Sequence, residues 1–271
     1  MNLSRPARIA LRIAAGLGFA VIYVPLTLVL VNSFNIDRSS GWPPAGLTLN
    51  WWEQAWHSNG ARAALWTSVK AALGATGISL VLGTLLAFAV QRYRFFGRES
   101  ISFLVVLPIA LPGIVTGVAL NTAFRAVLEP FGVGLGMFTV VVGHATFCVV
   151  VVFNNVIARL RRTALSFEEA AADLGADTFQ IFRDITFPLV RSALVAGALL
   201  SFALSFDEIV VTTFTAGPGV QTLPIWVFSN MTRPAQAPVV NVVAAVLVLL
   251  SVLPIYLAQR LSSDTAGTSR I

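Results

Sequence analysis

Charge is what this chain has least of. Only 11% of its 271 residues are Asp, Glu, Lys or Arg, against about 25% in a soluble domain. So few charges cannot cover a water-exposed surface, which excludes an ordinary soluble globular fold. Lysine is reduced to Lys70. A phosphate loop needs G-x4-G-K-[ST], with its lysine reaching the phosphates, and Lys70 stands in Ser68-Val69-Lys70-Ala71, so ATP hydrolysis is not this chain's work. The single cysteine, Cys148, excludes an internal disulfide and leaves the redox compartment unread. Two histidines, His57 and His144, form no metal-ligand cluster with the acids around them. Gly77-Ile78-Ser79 is a poor partial match to a serine-nucleophile motif and has no companion base, which disfavours a membrane-embedded hydrolase.

What the chain has is apolar length. Hydrophobic residues make up 56% of it, and the mean hydropathy is +0.81. Six runs, near residues 13–31, 71–90, 102–124, 135–158, 192–214 and 239–259, are long enough to cross a bilayer. In lipid a helix satisfies its own backbone, so the expected fold class is an all-α membrane protein with six transmembrane helices. Pro108, Pro112 and Gly113 should kink the third span. The first run follows Arg5, Arg8 and Arg12 and is read as an uncleaved span rather than a signal peptide, because it is long and no clear A-x-A site follows. The whole of residues 1–271 is read as one transmembrane domain with a polar, disordered tail over 262–271.

Arginine placement sets the expected orientation. With a cytoplasmic N-terminus, 13 basic residues fall inside and 5 fall outside or within spans. The inside set includes Arg92, Arg94 and Arg98 in one connection and Arg159, Arg161, Arg162, Arg183 and Arg191 in another. This positive-inside bias puts both termini in the cytoplasm. The net charge of +6 is therefore explained by topology, and nucleic acid is not an expected partner. Trp42, Trp51, Trp52, Trp56 and Trp66 cluster in the first outside connection and suit an interfacial aromatic belt, with a surface helix over residues 48–56. The connection over 215–238, rich in Gly and Pro, reads as an irregular loop.

One segment, residues 159–191, is polar and charge-dense. Ser166-x-x-Glu169 fits a capping box opening a helix that ends near Gly175. Glu168, Ala171, Ala172 and Gly175 fall at i, i+3, i+4 and i+7, which sets three small residues on one face. Gly175 can take the left-handed conformation that ends a helix. Asp177-x-x-Gln180 then looks like a second cap, opening a helix that carries Phe179, Phe182 and Ile185 until Pro188 closes it. A helix–turn–helix with a small-residue face on the cytoplasmic side is either a plain surface hairpin or a docking site for a soluble partner.

Glu169-Ala170-Ala171-Ala172-Asp173-Leu174-Gly175 and Ile185-Thr186-Phe187-Pro188 resemble the EAA signature, E-A-A-x3-G-x9-I-x-L-P, of permease subunits of bacterial ABC importers. Phe187 replaces the leucine of that signature, an apolar exchange. The resemblance continues through Tyr23-Val24-Pro25, Ser33-Phe34-Asn35, Thr48-Leu49-Asn50-Trp51-Trp52, the 204–211 stretch, Thr222-Leu223-Pro224 and Asn241. Together these resemble the spermidine/putrescine branch of the family. The resemblance implies a type I ABC importer permease fold with a cytoplasmic coupling helix, in the bacterial inner membrane. It implies an ABC ATPase dimer that binds ATP and Mg, a second permease subunit and a periplasmic solute-binding protein. It assigns Glu169, Ala170, Ala171, Gly175, Ile185, Phe187 and Pro188 to ATPase docking. The chain itself is expected to hold no cofactor, no metal and no catalytic residue. A polyamine is the implied cargo, with iron, opines, phosphonates or thiamine as alternatives in the same broad family. A secondary transporter or channel is the competing class, and it would leave the 169–188 segment without a purpose.

Asp207 and Glu208 lie within the fifth apolar run, and charges at such depth are candidates for function. On a continuous helix Ser201, Ser205, Glu208 and Thr212 would form one polar stripe, with Asp207 turned about 100° away. Such a stripe suits the wall of a translocation path for a cationic solute, while the alternative is that the acids pair with neighbouring helices. His144, with Asn154 and Asn155 further along its span, reads as an interhelical hydrogen bonder.

Overall fold

The computed structural model describes residues 4–38 and 42–250. Helices carry nearly all of the regular structure, and among the described residues the backbone pairing between extended segments is one antiparallel bridge, Asn35 with Leu47. The second half of the sixth apolar run, the tail over 262–271, Arg260 and Arg270 lie outside the described residues. The described residues fall into two compact units, one drawn from 1–62 with 227–271 and one of residues 63–226.

The first unit contains α1, Arg5–Asn32, a 28-residue helix with no buried residue. At 1.5 Å per residue it is about 42 Å long, enough to cross a bilayer. Most of its apolar side chains are exposed, and those of Val29, Leu30 and Val31 are half-buried. The segment after it is fastened to α2, Asn50–His57. The Trp51 indole donates to the Asn35 carbonyl at 2.8 Å, and the Trp52 ring stacks on Phe34 at 5.1 Å. α2 is the expected surface helix beginning two residues later than the sequence suggested. Helix α12 runs from Ala237 to Leu250.

The second unit is built around α6, Met137–Arg161, the most buried span. α3, Asn59–Arg92, begins in the first unit and runs through the second. Alanines make its contact face: Ala71, Ala72, Ala75 and Ala87 are fully buried. Small residues let helices approach closely where lipid supplies no hydrophobic drive. Gly83 shows how closely: a Cβ there would meet the Val149 carbonyl oxygen at 2.8 Å. Val152, Val156, Leu160, Val90 and Val190 fill the core at one end of the bundle.

The third apolar run is broken rather than kinked. α4, Arg98–Ala110, and α5, Gly113–Leu128, meet at 108°. Pro108 is accommodated inside α4. The break falls at Leu111-Pro112, where both residues leave the helical region, with ψ of 144° and 132°. A residue before proline is pushed to extended backbone, and proline offers no N–H to continue the ladder. Among the described residues four helices are long and apolar enough to span, and a fifth span is counted if the bent pair is one crossing. α12 is the described part of the sixth run. The 215–238 connection is not wholly irregular, since it holds α11, Leu223–Asn230.

The fifth run also divides. α9, Phe187–Phe206, ends at Asp207, and α10, Val210–Thr215, follows. α10 packs on α5, where Gly117 leaves room for the Phe214 ring and Asn121 Nδ2 donates to the Phe214 carbonyl at 2.5 Å.

Candidate functional site

The polar segment between α6 and α9 forms a hairpin. Its first arm, α7, is Ser166–Asp173. The expected capping box is not formed. Leu165 takes the cap position with helical backbone angles, and its carbonyl accepts from the N–H groups of Glu168 and Glu169 at 2.9 and 3.1 Å. Ser166 is thereby drawn into the first turn, where its hydroxyl cannot reach back to a free N–H, and Glu169 is left exposed.

The turn follows expectation. Gly175 has φ +87°. Its N–H donates to the Ala172 carbonyl at 2.9 Å and that of Ala176 to the Ala171 carbonyl at 3.0 Å, the two bonds of a Schellman end. Asp177 and Gln180 then cap each other. The Asp177 carboxylate accepts from the Gln180 N–H at 2.8 Å, and the Gln180 side chain accepts from the Asp177 N–H at 3.0 Å.

Beyond α8, Thr178–Ile181, the chain makes a π-helical turn, Phe182–Thr186, and continues into α9. Pro188 therefore does not close the helix, a second correction. In a regular helix residue 188 would donate to the Asp184 carbonyl, and the proline ring would crowd that oxygen. The π turn inserts one extra residue, so the Phe187 N–H reaches back to the Phe182 carbonyl. The proline is absorbed inside a continuous helical path.

Around this hairpin Glu169, Ala170, Ala172, Leu174, Gly175 and Pro188 are exposed, and Leu174 reaches 90%. Phe187 is exposed, while Ala171 and Ile185 are half-buried. The predicted small-residue face is thus divided: Glu168 and Ala171 turn inward, and Ala172 and Gly175 face out.

Glu168, read in the sequence only as one position of the small-residue face, proves to be the best-connected acid of the hairpin. Its Oε1 accepts from Arg92 Nη2 at 2.5 Å and from the Thr186 hydroxyl at 2.9 Å. One carboxylate oxygen thus joins the end of α3, the hairpin and the π turn. Arg92 stands 76 positions away in the chain and reads in sequence as one more positive-inside arginine. The only available signal was the doubled acid, Glu168-Glu169, ahead of the alanines.

Inside the bundle the predicted polar stripe does not exist as one continuous face, because the helix breaks at Asp207. Ser201, Ser205 and Thr212 are buried, at 0, 2 and 0% exposure. They are turned toward α6 and bonded there. His144 Nδ1 lies 2.7 Å from Ser205 Oγ, and His144 Nε2 lies 2.8 Å from Thr212 Oγ1. The Thr212 hydroxyl already donates to the Glu208 carbonyl at 2.7 Å. A hydroxyl has one proton to give, so Thr212 accepts from Nε2–H, and Nδ1 accepts from Ser205. A single neutral imidazole therefore ties the end of α9 to the start of α10, the interhelical role expected of it. Ser201 and Cys148 exchange bonds with each other's backbone carbonyls at 3.3 and 3.4 Å.

Asp207 is exposed at the break and Glu208 is half-buried. The Glu208 carboxylate accepts from the Val211 N–H at 2.8 Å and so caps α10. A separate open cleft between α6 and α9 is lined by Asn154, Asn155, Arg159, Arg162 and Ser192. Arg159 donates from Nε to the Leu189 carbonyl at 2.8 Å.

Comparison with known proteins gives this arrangement its context. Residues 79–266 match the family described as the binding-protein-dependent transport system inner membrane component. The chain is 34% identical over 241 residues to the spermidine/putrescine transport system permease protein PotC of Haemophilus influenzae, covering 89% of this chain and 91% of that one. It is 34% identical over 235 residues to the putrescine transport system permease protein PotI of Escherichia coli, covering 85% of this chain and 83% of that one. Its fold superposes with a TM-score of 0.66, at 17% identity, on a chain of a bacterial ABC transporter involved in import of the acidic polysaccharide alginate, over 97% of this chain and 99% of that one. Apolar spans, an exposed polar hairpin between two of them and a family match over two thirds of the length agree, and the chain belongs to the binding-protein-dependent transport system inner membrane component family, as a multi-pass permease subunit.

Proposed function

We propose that this permease forms half of an ATP-driven import path for a polyamine. The observation that carries the cargo is the 34% identity, over about nine-tenths of both chains, to a spermidine/putrescine permease. ATP and Mg bind to a partner ATPase dimer, a second permease completes the path, and a periplasmic binding protein delivers the solute. Both termini are cytoplasmic, which puts the hairpin on the side where ATP is.

Glu169, Ala170, Ala171 and Gly175, with Ile185, Phe187 and Pro188 behind them, form the ATPase-docking surface. What supports this is that most of them are exposed on a hairpin whose turn is fixed by a Schellman end and a reciprocal cap. Leu174, at 90% exposure, is an apolar side chain with no cover of its own. Ser201, Ser205 and Thr212 stand behind the path as the buried frame of its wall, and Asp207 and Glu208 at the helix break are the groups that meet a cation. The arginine-lined cleft is a poor place for a polyamine, because like charge repels it.

The test of cargo is a thermal-shift screen of the cognate binding protein, followed by uptake into proteoliposomes holding the whole complex. Spermidine and putrescine should stabilise the binding protein and enter. Stabilisation and uptake limited to a phosphonate, thiamine or iron chelate would reassign the cargo and leave the permease role standing.

A further inference from the structure

We propose that the Glu168 carboxylate is the joint through which the docking hairpin moves two membrane spans at once. This rests on the docking role above and goes beyond it, since it concerns how a displacement of the hairpin reaches the spans. Glu168 Oε1 holds Arg92 at the end of α3 and Thr186 in the π turn that leads into α9. The Arg92 and Glu168 side chains are only 14 and 19% exposed, and Thr186 is 5% exposed. Water therefore screens the pair weakly, and any shift of α7 must carry both spans or break the contact.

A second observation points to transmission rather than to stability. Arg92 Nε is buried and makes no hydrogen bond among the described residues. A buried donor left unpaired is costly, and a buried ion pair is seldom more stable than apolar side chains of the same volume. Holding Arg92 in this position with an unpaired donor makes sense where the position itself is needed. The π turn adds to this. It sits between Pro188 and α8 and turns the Thr186 hydroxyl onto the same oxygen that Arg92 takes. The joint thus has one acceptor and two donors on three elements, with Arg92 76 positions and Thr186 18 positions from Glu168 in the chain.

The experiment uses the complete complex in proteoliposomes, with ATPase, second permease and binding protein, and reads the ratio of ATP hydrolysis with the binding protein to that without it. Glu168→Gln keeps the shape and removes the charge. Its ratio should fall about fivefold or more, the lower range of ordinary coupling between sites. Exchanging the pair, Arg92→Glu with Glu168→Arg, should recover part of the loss. Thr186→Val, which removes one donor and keeps the volume, should give a smaller loss in the same direction. An unchanged ratio in Glu168→Gln would overturn the proposal. So would a failure of both Glu168→Gln and Thr186→Val to yield complex, with a normal ratio in whatever remains, because the contact would then be purely structural. Failure of the native chain to bind the ATPase at all is a separate result, and it would strike the docking role itself.

Discussion

At Gly175 two costs can be separated. Its φ of +87° strains any residue with a side chain, by about 1–2 kcal/mol. Yet a Cβ built there meets nothing within 4 Å in this chain. Gly175→Ala and Gly175→Trp therefore carry similar backbone strain and differ in bulk toward a partner. Uptake per assembled chain should be mostly kept in Gly175→Ala and lost in Gly175→Trp. Equal loss in both would assign Gly175 to the turn alone and remove it from the docking surface. Glu208 is a second separable residue. Glu208→Gln keeps an acceptor for the Val211 N–H and removes only the charge. If a cation passes within about 4 Å in wet surroundings, the lost attraction is about 1 kcal/mol, or roughly fivefold in uptake per complex. Normal uptake per complex in this variant would limit Glu208 to capping α10.

Among the elements, the break between α9 and α10 depends most on tertiary contact. Nothing in residues 207–209 is proline or glycine, and the apolar run passes through without a visible stop. His144 then secures the break by holding Ser205 on one side and Thr212 on the other. His144→Ala leaves the buried Ser205 hydroxyl without its ring partner and Thr212 with only its bond to the Glu208 carbonyl, and should cost about 1–3 kcal/mol, read as a lower melting temperature of the purified complex. An unchanged melting temperature would show that packing alone sets the break. The sequence could not reveal this break, because it is written partly on α6, more than sixty positions upstream of Ser205. By contrast, the break at Pro112 was legible as a proline effect, although its 108° angle was not. The Gly175 turn and the Asp177–Gln180 cap were legible because each is local. The Ser166 capping box and the stop at Pro188 failed because neighbouring turns offered other partners for the same backbone groups.

At the scale of the whole molecule, composition alone made the membrane setting and the run of apolar helices readable. The polar hairpin was readable because charge is concentrated there in a chain that has little elsewhere. Arg92 with Glu168 was not readable, since any of several cytoplasmic arginines could have taken that carboxylate. Lacking a phosphate loop, the purified chain should show no ATP turnover, and it should copurify with its ATPase when the two are made together. The measurement closest to the central claim is solute uptake into proteoliposomes holding the whole complex, with ATP or its non-hydrolysable analogue inside. The account predicts uptake with ATP, none with the analogue, and none when the ATPase is left out. Equal uptake in vesicles that contain this chain without any ATPase would contradict it and establish a secondary transporter or channel instead.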